Sequence, residues 1–231
     1  MDRPNIIYMH SHDTGRYTQP YGYGIATPHI QRLAEQGVLF RQAFCCGPTC
    51  SPSRAALLMG QSPHCCGMLG LANLGWSIRD MGEHVQNTLK QHGYTTALAG
   101  TQHITENPRD IGYDTIVPIK EDGLVDAAIK CLRQDRDRPF FLSLGHGLTH
   151  RHRYLTPTEQ ENPAYLAPPA PMPDLPEVRQ DMAAFHASCK QLDADWGRVL
   201  DTLDGTGLAD NTLDLHDRSR HRLPEHEVQP L

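Results

Sequence analysis

Short apolar runs alternate with amphipathic helical segments along this chain of 231 residues, and that order leaves few folds open. The strand patterns cover residues 5–9, 94–99 and 140–144, and a shorter apolar run covers residues 38–40. Helical patterns with typical start and stop residues cover residues 28–37, 52–60, 83–92, 125–132 and 178–203. This alternation predicts an α/β fold, a mainly parallel sheet flanked by helices, with a site at the carboxyl ends of the strands.

The composition excludes several classes of protein. A formal net charge of −6 and a pI near 6.1 leave no basic face for nucleic acid. No apolar stretch is long enough for a membrane span and no signal-peptide pattern opens the chain, so we expect a cytoplasmic protein that binds neither nucleic acid nor membrane. The seven cysteines are an odd number and include two adjacent pairs, which favours free thiols over disulfides.

Cys50 stands in a local sequence that favours anion binding. Pro52 is a typical first helical residue, so Cys50 should lie just before a helix amino terminus, where free N–H groups and the helix dipole attract negative charge. Arg54, one turn further, adds a guanidinium suited to a tetrahedral oxyanion. These residues predict a pocket for sulfate or phosphate, although a lone cysteine is more often a small buried hydrophobic side chain.

The segment Cys50-Ser51-Pro52-Ser53-Arg54 resembles the Cys-x-Pro-Ser-Arg signature of the sulfatase family, within the alkaline-phosphatase-like superfamily. Residues 3–7 resemble the opening strand of that family, residues 27–37 its first helix, and residues 53–60 the helix after the nucleophile. The resemblance covers residues 3 to 213 and is greatest to the arylsulfatase and heparan N-sulfatase branch.

The resemblance implies a hydrolase of sulfuric esters or sulfamates acting on a sulfated small molecule or glycan. In this family a formylglycine-generating enzyme oxidises the cysteine to formylglycine (3-oxoalanine), and the aldehyde hydrate attacks sulfur. Cys50 is the matching residue. A geminal diol can expel sulfate by re-forming its aldehyde, an exit that a plain serine ester lacks.

The resemblance also implies a metal site at the end of the first strand. Sulfatases carry paired acidic ligands there; Asp13 matches, whereas His12 departs and is assigned to substrate binding. Asp13 and the modified Cys50 would bind Ca²⁺ or Mg²⁺, which prefer oxygen ligands. Without the motif at Cys50, Asp13 would be interpreted as a turn residue.

Two further histidines match catalytic positions of the family. His103 matches the histidine of a Gly-Lys-x-His segment, but Thr101 replaces the lysine, which leaves Gln102 as a neutral hydrogen-bonding group for the substrate. His150 matches the histidine that protonates the leaving oxygen, a transfer suited to imidazole near neutral pH. A solvated loop residue is an equally good interpretation of His150.

The sequence after Leu213 lacks the apolar strand that the family has at this point, which ends in Thr-x-Asp-His-Gly or Thr-x-Asp-Asn-Gly. Back-translated with permitted codons and read in a shifted register, the tail gives Val-Ile-Phe-Thr-Thr-Asp-His-Gly. We therefore predict a sulfatase amino-terminal catalytic domain over residues 1–213, incomplete at its carboxyl end and crippled in activity, and an out-of-frame, disordered tail over residues 214–231. Sequencing the gene across codon 213 tests this hypothesis.

Three other interpretations remain open. A phosphonate or phosphodiester hydrolase of the same superfamily can share the nucleophile motif, and a non-catalytic remnant would bind no substrate. Zinc binding is disfavoured, because adjacent cysteines cannot easily point at one tetrahedral ion and the usual two-residue ligand spacing is missing. The side chains considered for zinc are Cys45, Cys46, Cys50, His64, Cys65 and Cys66.

Overall fold

A computed structural model describes residues 3–119, 123–158, 161–170 and 172–217. Its centre is a sheet of five parallel strands, β1 (Asn5–His10), β2 (Thr95–Gly100), β3 (Thr115–Ile116), β4 (Phe140–Gly145) and β5 (Thr212–Asp217). Their order across the sheet is β3-β2-β4-β1-β5. The predicted α/β fold with a parallel sheet is therefore confirmed.

Helices cover both faces of this sheet. The α-helices of the described residues are α1 (Pro28–Gln36), α2 (Cys50–Met59), α3 (Pro63–Cys66), α4 (Val85–Gln91), α5 (Leu124–Leu132) and α6 (Pro176–Thr206). Short 3-10 helices lie in the connections, at Gln19–Tyr21, Ala72–Leu74, Met81–Glu83, Pro108–Ile111, Arg151–Arg153, Pro163–Tyr165 and Ala209–Asn211.

The central strands are buried on both faces, as their apolar sequences predict. Along β1, Ile7 and Met9 pack on one face in the same cluster as Trp196 of α6, which also contains side chains of α1 and α5. Tyr8, between them, packs on the opposite face with Ala55 of α2. Because the strands are parallel, their carboxyl ends meet at one edge of the sheet, and the loops that leave this edge carry the predicted site residues.

Most predicted elements are present with shifted boundaries. The long helix predicted over residues 178–203 extends from Pro176 to Thr206. α2 begins at Cys50 rather than at Pro52, because Thr49 adopts the extended conformation of an N-cap residue, with φ −119° and ψ 159°. Cys50 therefore lies inside the first helical turn and not before it.

The apolar run over residues 38–40 is not a strand, contrary to the sequence interpretation. These residues have no regular secondary structure, and Val38 and Phe40 are 78% and 70% exposed. An apolar run of three residues carries no usable periodicity, so its sequence cannot distinguish a strand from an exposed loop.

The expectation that no strand follows Leu213 is wrong. β5 crosses the predicted boundary and pairs in parallel with β1, so that Asp217 stands opposite His10. Backbone hydrogen bonds supply this pairing without an apolar sequence, and at the sheet edge Leu213 and Leu215 remain 49% and 45% exposed. The rest of the predicted tail, residues 218–231, lies outside the described residues.

All seven cysteines are free, as predicted from their number and adjacency. None of the described helices is apolar over enough of its length to span a bilayer.

Candidate active site

Four predicted site residues meet at the carboxyl edge of the sheet. Cys50 is 3% exposed, and its Sγ lies 3.9 Å from Nδ1 of His12, which follows β1. His103 follows β2 and His150 follows β4; their rings lie 6.0 and 5.4 Å, between centroids, from the ring of His12. His12 is therefore the centre of this group.

The backbone of His12 is held by the loop after β4. Its N–H donates to the carbonyl of Leu148 at 2.9 Å, and its carbonyl accepts from the N–H and the hydroxyl of Thr149 at 2.8 and 2.7 Å. The Thr149 hydroxyl also lies 3.1 Å from that of Thr14. These buried bonds fix the loop after β1 against the loop that carries His150.

Arg54 ties α2 to the end of β1. Its side chain is 1% exposed; Nη2 donates to the carbonyl of Ser11 at 2.8 Å, and Nη1 contacts Nδ1 of His10. Because guanidinium has only donors, Nδ1 of His10 accepts and Nε2 carries the proton. The Nε–H of Arg54 is buried and has no acceptor among the residues that the structure describes.

The histidines at the end of β1 are neutral. Burial, and secondly the charge of Arg54, lower the pKa of His12 to about 2, with smaller contributions from His150, His103 and Arg153. Burial followed by Arg54 also lowers the pKa of His10 well below its ordinary value. Burial alone disfavours the protonated form of a histidine, and the second cause, the buried charge of Arg54, is one that a bound anion would balance.

Gln102 and His103 are held by different parts of the chain. The Gln102 amide is used inside its own loop: Oε1 accepts from the N–H groups of Ile104 and Thr105 at 2.6 and 3.1 Å, and Nε2 donates to the Thr105 carbonyl at 2.6 Å. His103 reaches across to Asn73, with Nε2 3.2 Å from Oδ1. The structure therefore brings His103, but not the Gln102 amide, to the group around Cys50.

His150 and Asp13 lie in the loops that follow β4 and β1. Nδ1 of His150 lies 2.7 Å from Nδ1 of His152, so one of these nitrogens donates and the other accepts. Asp13 has a left-handed backbone conformation, with φ 53°, as expected of a turn residue. Its negative charge helps to raise the pKa of Tyr154, after the larger effect of burial.

Among the described residues, His12, Cys50 and His103 form the group that could hold a metal ion, with ligand atoms within 4.8 Å of one another. Asp13 is not a member of this group, and of the cysteines considered for zinc only Cys50 belongs to it. The donors are two imidazole nitrogens and one sulfur. Ca²⁺ and Mg²⁺ prefer oxygen ligands, so these three unmodified donors do not fit a hard cation, and Asp13 with the modified Cys50 stays the predicted ligand pair for Ca²⁺ or Mg²⁺.

Sequence reasoning missed several residues that build the site. The position of His10 could have been recognised from the sequence, because a polar residue at the end of a buried strand is unusual and usually has a hydrogen-bonding partner. Asn73 contacts His103 although the two residues are far apart in the sequence. His146 and Asp195 are also far apart in the sequence, but Nε2 of His146 lies 2.9 Å from Oδ2 of Asp195, and this contact links the loop after β4 to α6. No local pattern could reveal these pairs.

Comparisons with known proteins agree with the fold and the motif. The family model described as Sulfatase matches residues 4–213. N-sulphoglucosamine sulphohydrolase of Homo sapiens is 29% identical over 244 residues, covering 90% of this chain and 49% of that protein. N-acetylgalactosamine-6-O-sulfatase of Bacteroides thetaiotaomicron is 30% identical over 184 residues, covering 70% of this chain and 35% of that protein.

One similar solved structure was determined in complex with its substrate D-glucosamine-2-N,6-O-disulfate. It has a TM-score of 0.68 at 17% sequence identity, and the match covers 94% of this chain and 65% of that chain. At this identity the likeness shows a common fold. The chain spans no more than about half the length of the two curated relatives, 49% and 35%.

Proposed function

The chain belongs to the sulfatase family, and we propose that it carries the nucleophile of a hydrolase that cleaves sulfuric esters or sulfamates. The observation that carries this proposal is the position of Cys50. Its side chain is buried in the first turn of α2, with Arg54 one turn further and an imidazole nitrogen of His12 3.9 Å from its sulfur.

The nucleophile is the hydrate of formylglycine, formed by oxidation of Cys50 by a formylglycine-generating enzyme. One hydroxyl of the hydrate attacks the sulfur atom of the substrate, and the alcohol or amine of the substrate leaves. The second hydroxyl then loses its proton as the aldehyde re-forms, which breaks the bond to sulfate. A serine at this position would stop at the sulfate ester.

Three features support the binding of a sulfate group beside this nucleophile. The first turn of α2 presents backbone N–H groups that lack intrahelical acceptors. The Nε–H of Arg54 has no acceptor in the described part of the chain. Burial and, secondly, the positive charge of Arg54 lower the pKa of His12, and a bound anion would balance the charge of Arg54.

Proton transfer is assigned to the histidines around His12. We assign His150 to the protonation of the leaving oxygen or nitrogen, and the contact with His152 gives it a neighbour that can exchange a proton. His103 is assigned a contact with the hydroxyl of the nucleophile. Gln102, predicted to bind substrate, would act by holding the loop that carries His103.

The family also implies a divalent cation, which would neutralise the sulfate and polarise the nucleophile when bound. The resemblance implies Asp13 and the modified Cys50 as its ligands. Because the described donors around Cys50 are nitrogen and sulfur, no catalytic step is assigned here to Ca²⁺ or Mg²⁺.

The substrate class proposed is a sulfated sugar. The two curated relatives are named for N-sulphoglucosamine and for N-acetylgalactosamine 6-O-sulfate chemistry, and the solved neighbour binds a glucosamine disulfate. Small aryl sulfates are convenient probes of the same reaction.

The test begins with the chain co-expressed with a formylglycine-generating enzyme. Trypsin cuts after Arg41 and Arg54, so one peptide holds Cys45, Cys46 and Cys50. Fragmentation of this peptide should place an aldehyde at Cys50 and leave the other two as thiols. Recovery of only a thiol at Cys50 would overturn the proposal.

Activity is then measured on an aryl sulfate and an aryl phosphodiester in parallel. We expect sulfate release by the aldehyde form, its loss in Cys50→Ala, and unchanged release in Cys65→Ala, whose exposed cysteine lies outside the site. Faster cleavage of the phosphodiester would favour the alternative hydrolase, and no turnover of either probe would favour a remnant.

A further inference from the structure

The side chains that meet at Cys50 have the chemistry of a transition-metal site. His12, Cys50 and His103 come from three separate segments, and their ligand atoms lie within 4.8 Å of one another. Around a tetrahedral zinc ion, a sulfur and a nitrogen ligand stand about 3.5 Å apart. The observed distance of 3.9 Å between Sγ of Cys50 and Nδ1 of His12 needs only a small contraction to reach that value.

The surrounding structure holds these donors in place. The backbone of His12 is fixed on both sides by Leu148 and Thr149. The Nε2 of His103 faces Oδ1 of Asn73, which can only accept, so Nε2 carries the proton and Nδ1 carries the lone pair. An oxygen acceptor on the far ring nitrogen is the usual outer contact of a metal-binding histidine.

The donor set discriminates between metals. One thiolate and two imidazoles suit zinc and related transition ions, whereas Ca²⁺ and Mg²⁺ select carboxylates, carbonyls and water. Two protein nitrogens and one sulfur also match the three-ligand pattern that leaves a fourth position for water or an anion. The residue that departs from the acidic family pattern, His12, supplies the central ligand.

We propose that, as long as Cys50 remains a cysteine, the chain binds one Zn²⁺ ion through His12, Cys50 and His103. The Cys50 thiol releases its proton to solvent as the sulfur–zinc bond forms, and the two neutral imidazoles donate lone pairs without losing a proton. Conversion of Cys50 to formylglycine removes the sulfur. The zinc-bound form and the aldehyde form therefore exclude each other, and the zinc site does not depend on sulfatase activity.

The test uses the full chain expressed without the modifying enzyme, reduced and freed of metal with a chelator. Zn²⁺ is titrated against a chromophoric chelator, and Co²⁺ is followed by its visible and thiolate charge-transfer absorption. We expect one equivalent of each ion and a thiolate band. Cys50→Ser, His12→Asn and His103→Asn should each weaken Zn²⁺ binding by at least about tenfold.

Cys65→Ser and His64→Asn are matched controls, because both side chains are exposed and lie outside the group. They should bind Zn²⁺ as the wild type does. A folded wild type, checked by circular dichroism, that binds no stoichiometric ion or gives no thiolate band overturns the proposal. So does a thiolate band that persists in Cys50→Ser. Sulfate release by the co-expressed aldehyde form is scored separately, so failure of one proposal is distinguishable from failure of the other.

Discussion

Arg54 acts through the shape of its side chain as well as its charge. A buried guanidinium reaches the Ser11 carbonyl and the His10 ring with two of its nitrogens, whereas an ammonium group can occupy only one of these positions. The sequence motif predicted an anion-binding role, and the structure adds a role in joining α2 to the end of β1.

This role predicts a loss of stability in Arg54→Lys, even though the charge is kept. Leaving one buried acceptor without its charged donor should lower the free energy of unfolding by about 2 kcal/mol. Urea unfolding followed by fluorescence measures the change. Arg79→Lys is the control, since Arg79 is exposed and should give an unchanged midpoint. Equal midpoints for both variants would contradict the joining role.

At the scale of elements, α1 is capped by a residue of α6. Thr27 occupies the N-cap position that the sequence predicts, but its side chain makes no capping bond. Instead the Asp193 carboxylate accepts from the N–H groups of Ile30 and His29 at 2.8 and 3.2 Å. The amino terminus of α1 is therefore held by tertiary contact with the long helix.

Asp193→Ala should lower the free energy of unfolding by about 1 to 2 kcal/mol, the usual cost of losing a helix cap. Thr49→Ala is the matched control, because Thr49 is the N-cap residue of α2 and its side chain makes no capping bond. Its unfolding midpoint in urea should stay close to that of the wild type. An Asp193→Ala midpoint as close to that of the wild type as the Thr49→Ala midpoint would show that α1 does not depend on Asp193.

Across the whole molecule, buried histidines couple stability to pH. Burial is the largest cause of a lowered pKa in three of them: the pKa falls to about 4 for His84, to about 2 for His12, and well below its ordinary value for His10. The unfolded chain binds protons at these side chains below about pH 6.5, while the folded chain does not. Stability is therefore complete above pH 6.5 and falls as the pH decreases.

We expect each of these histidines to remove about 1.4 kcal/mol of stability per pH unit below 6.5, until the folded pKa is reached. Thermal or urea unfolding between pH 7.5 and 5 measures the total slope. His84→Asn gives the control: asparagine can still cap α4, as Nδ1 of His84 does by accepting from the Gln86 N–H, but it does not titrate. This variant should lose about 2 kcal/mol less than the wild type between pH 7 and 5. An unchanged slope would exclude His84 as a source.

The edge formed by β5 is a second property of the whole molecule. Within the described residues β5 pairs only with β1. The side chains of Leu213 and Leu215 on this strand are about half exposed. A strand edge with exposed leucine side chains favours pairing between chains. Leu215→Lys should therefore reduce light scattering on concentration, and more so than Leu57→Lys on α2, where an equally exposed leucine lies away from the edge. If both variants reduce light scattering equally, association depends on the total exposed apolar surface and not on the edge of β5.

The helices and central strands could be predicted because hydrophobic periodicity, proline starts and glycine stops act over a few residues. Residues 38–40 misled the same reasoning, since a short apolar run is the same in a strand and in an exposed loop. β5 was not predicted, for the opposite reason. Its sequence alternates Leu, Asp, Leu and His, and it forms a strand because its backbone pairs with β1. The tail hypothesis stays a prediction for residues outside the described part of the chain.

The sequence by itself determined the α/β order and the position of the family motif at Cys50, because local backbone preferences and a short motif depend on residues that are adjacent in the chain. Only the tertiary structure decided which side chains face Cys50. His12 is 38 residues away in the chain, and the Asp193 contact to α1 spans 164 residues. The first pair forms because the parallel strands bring their carboxyl ends to one edge, and the second because α6 packs against α1.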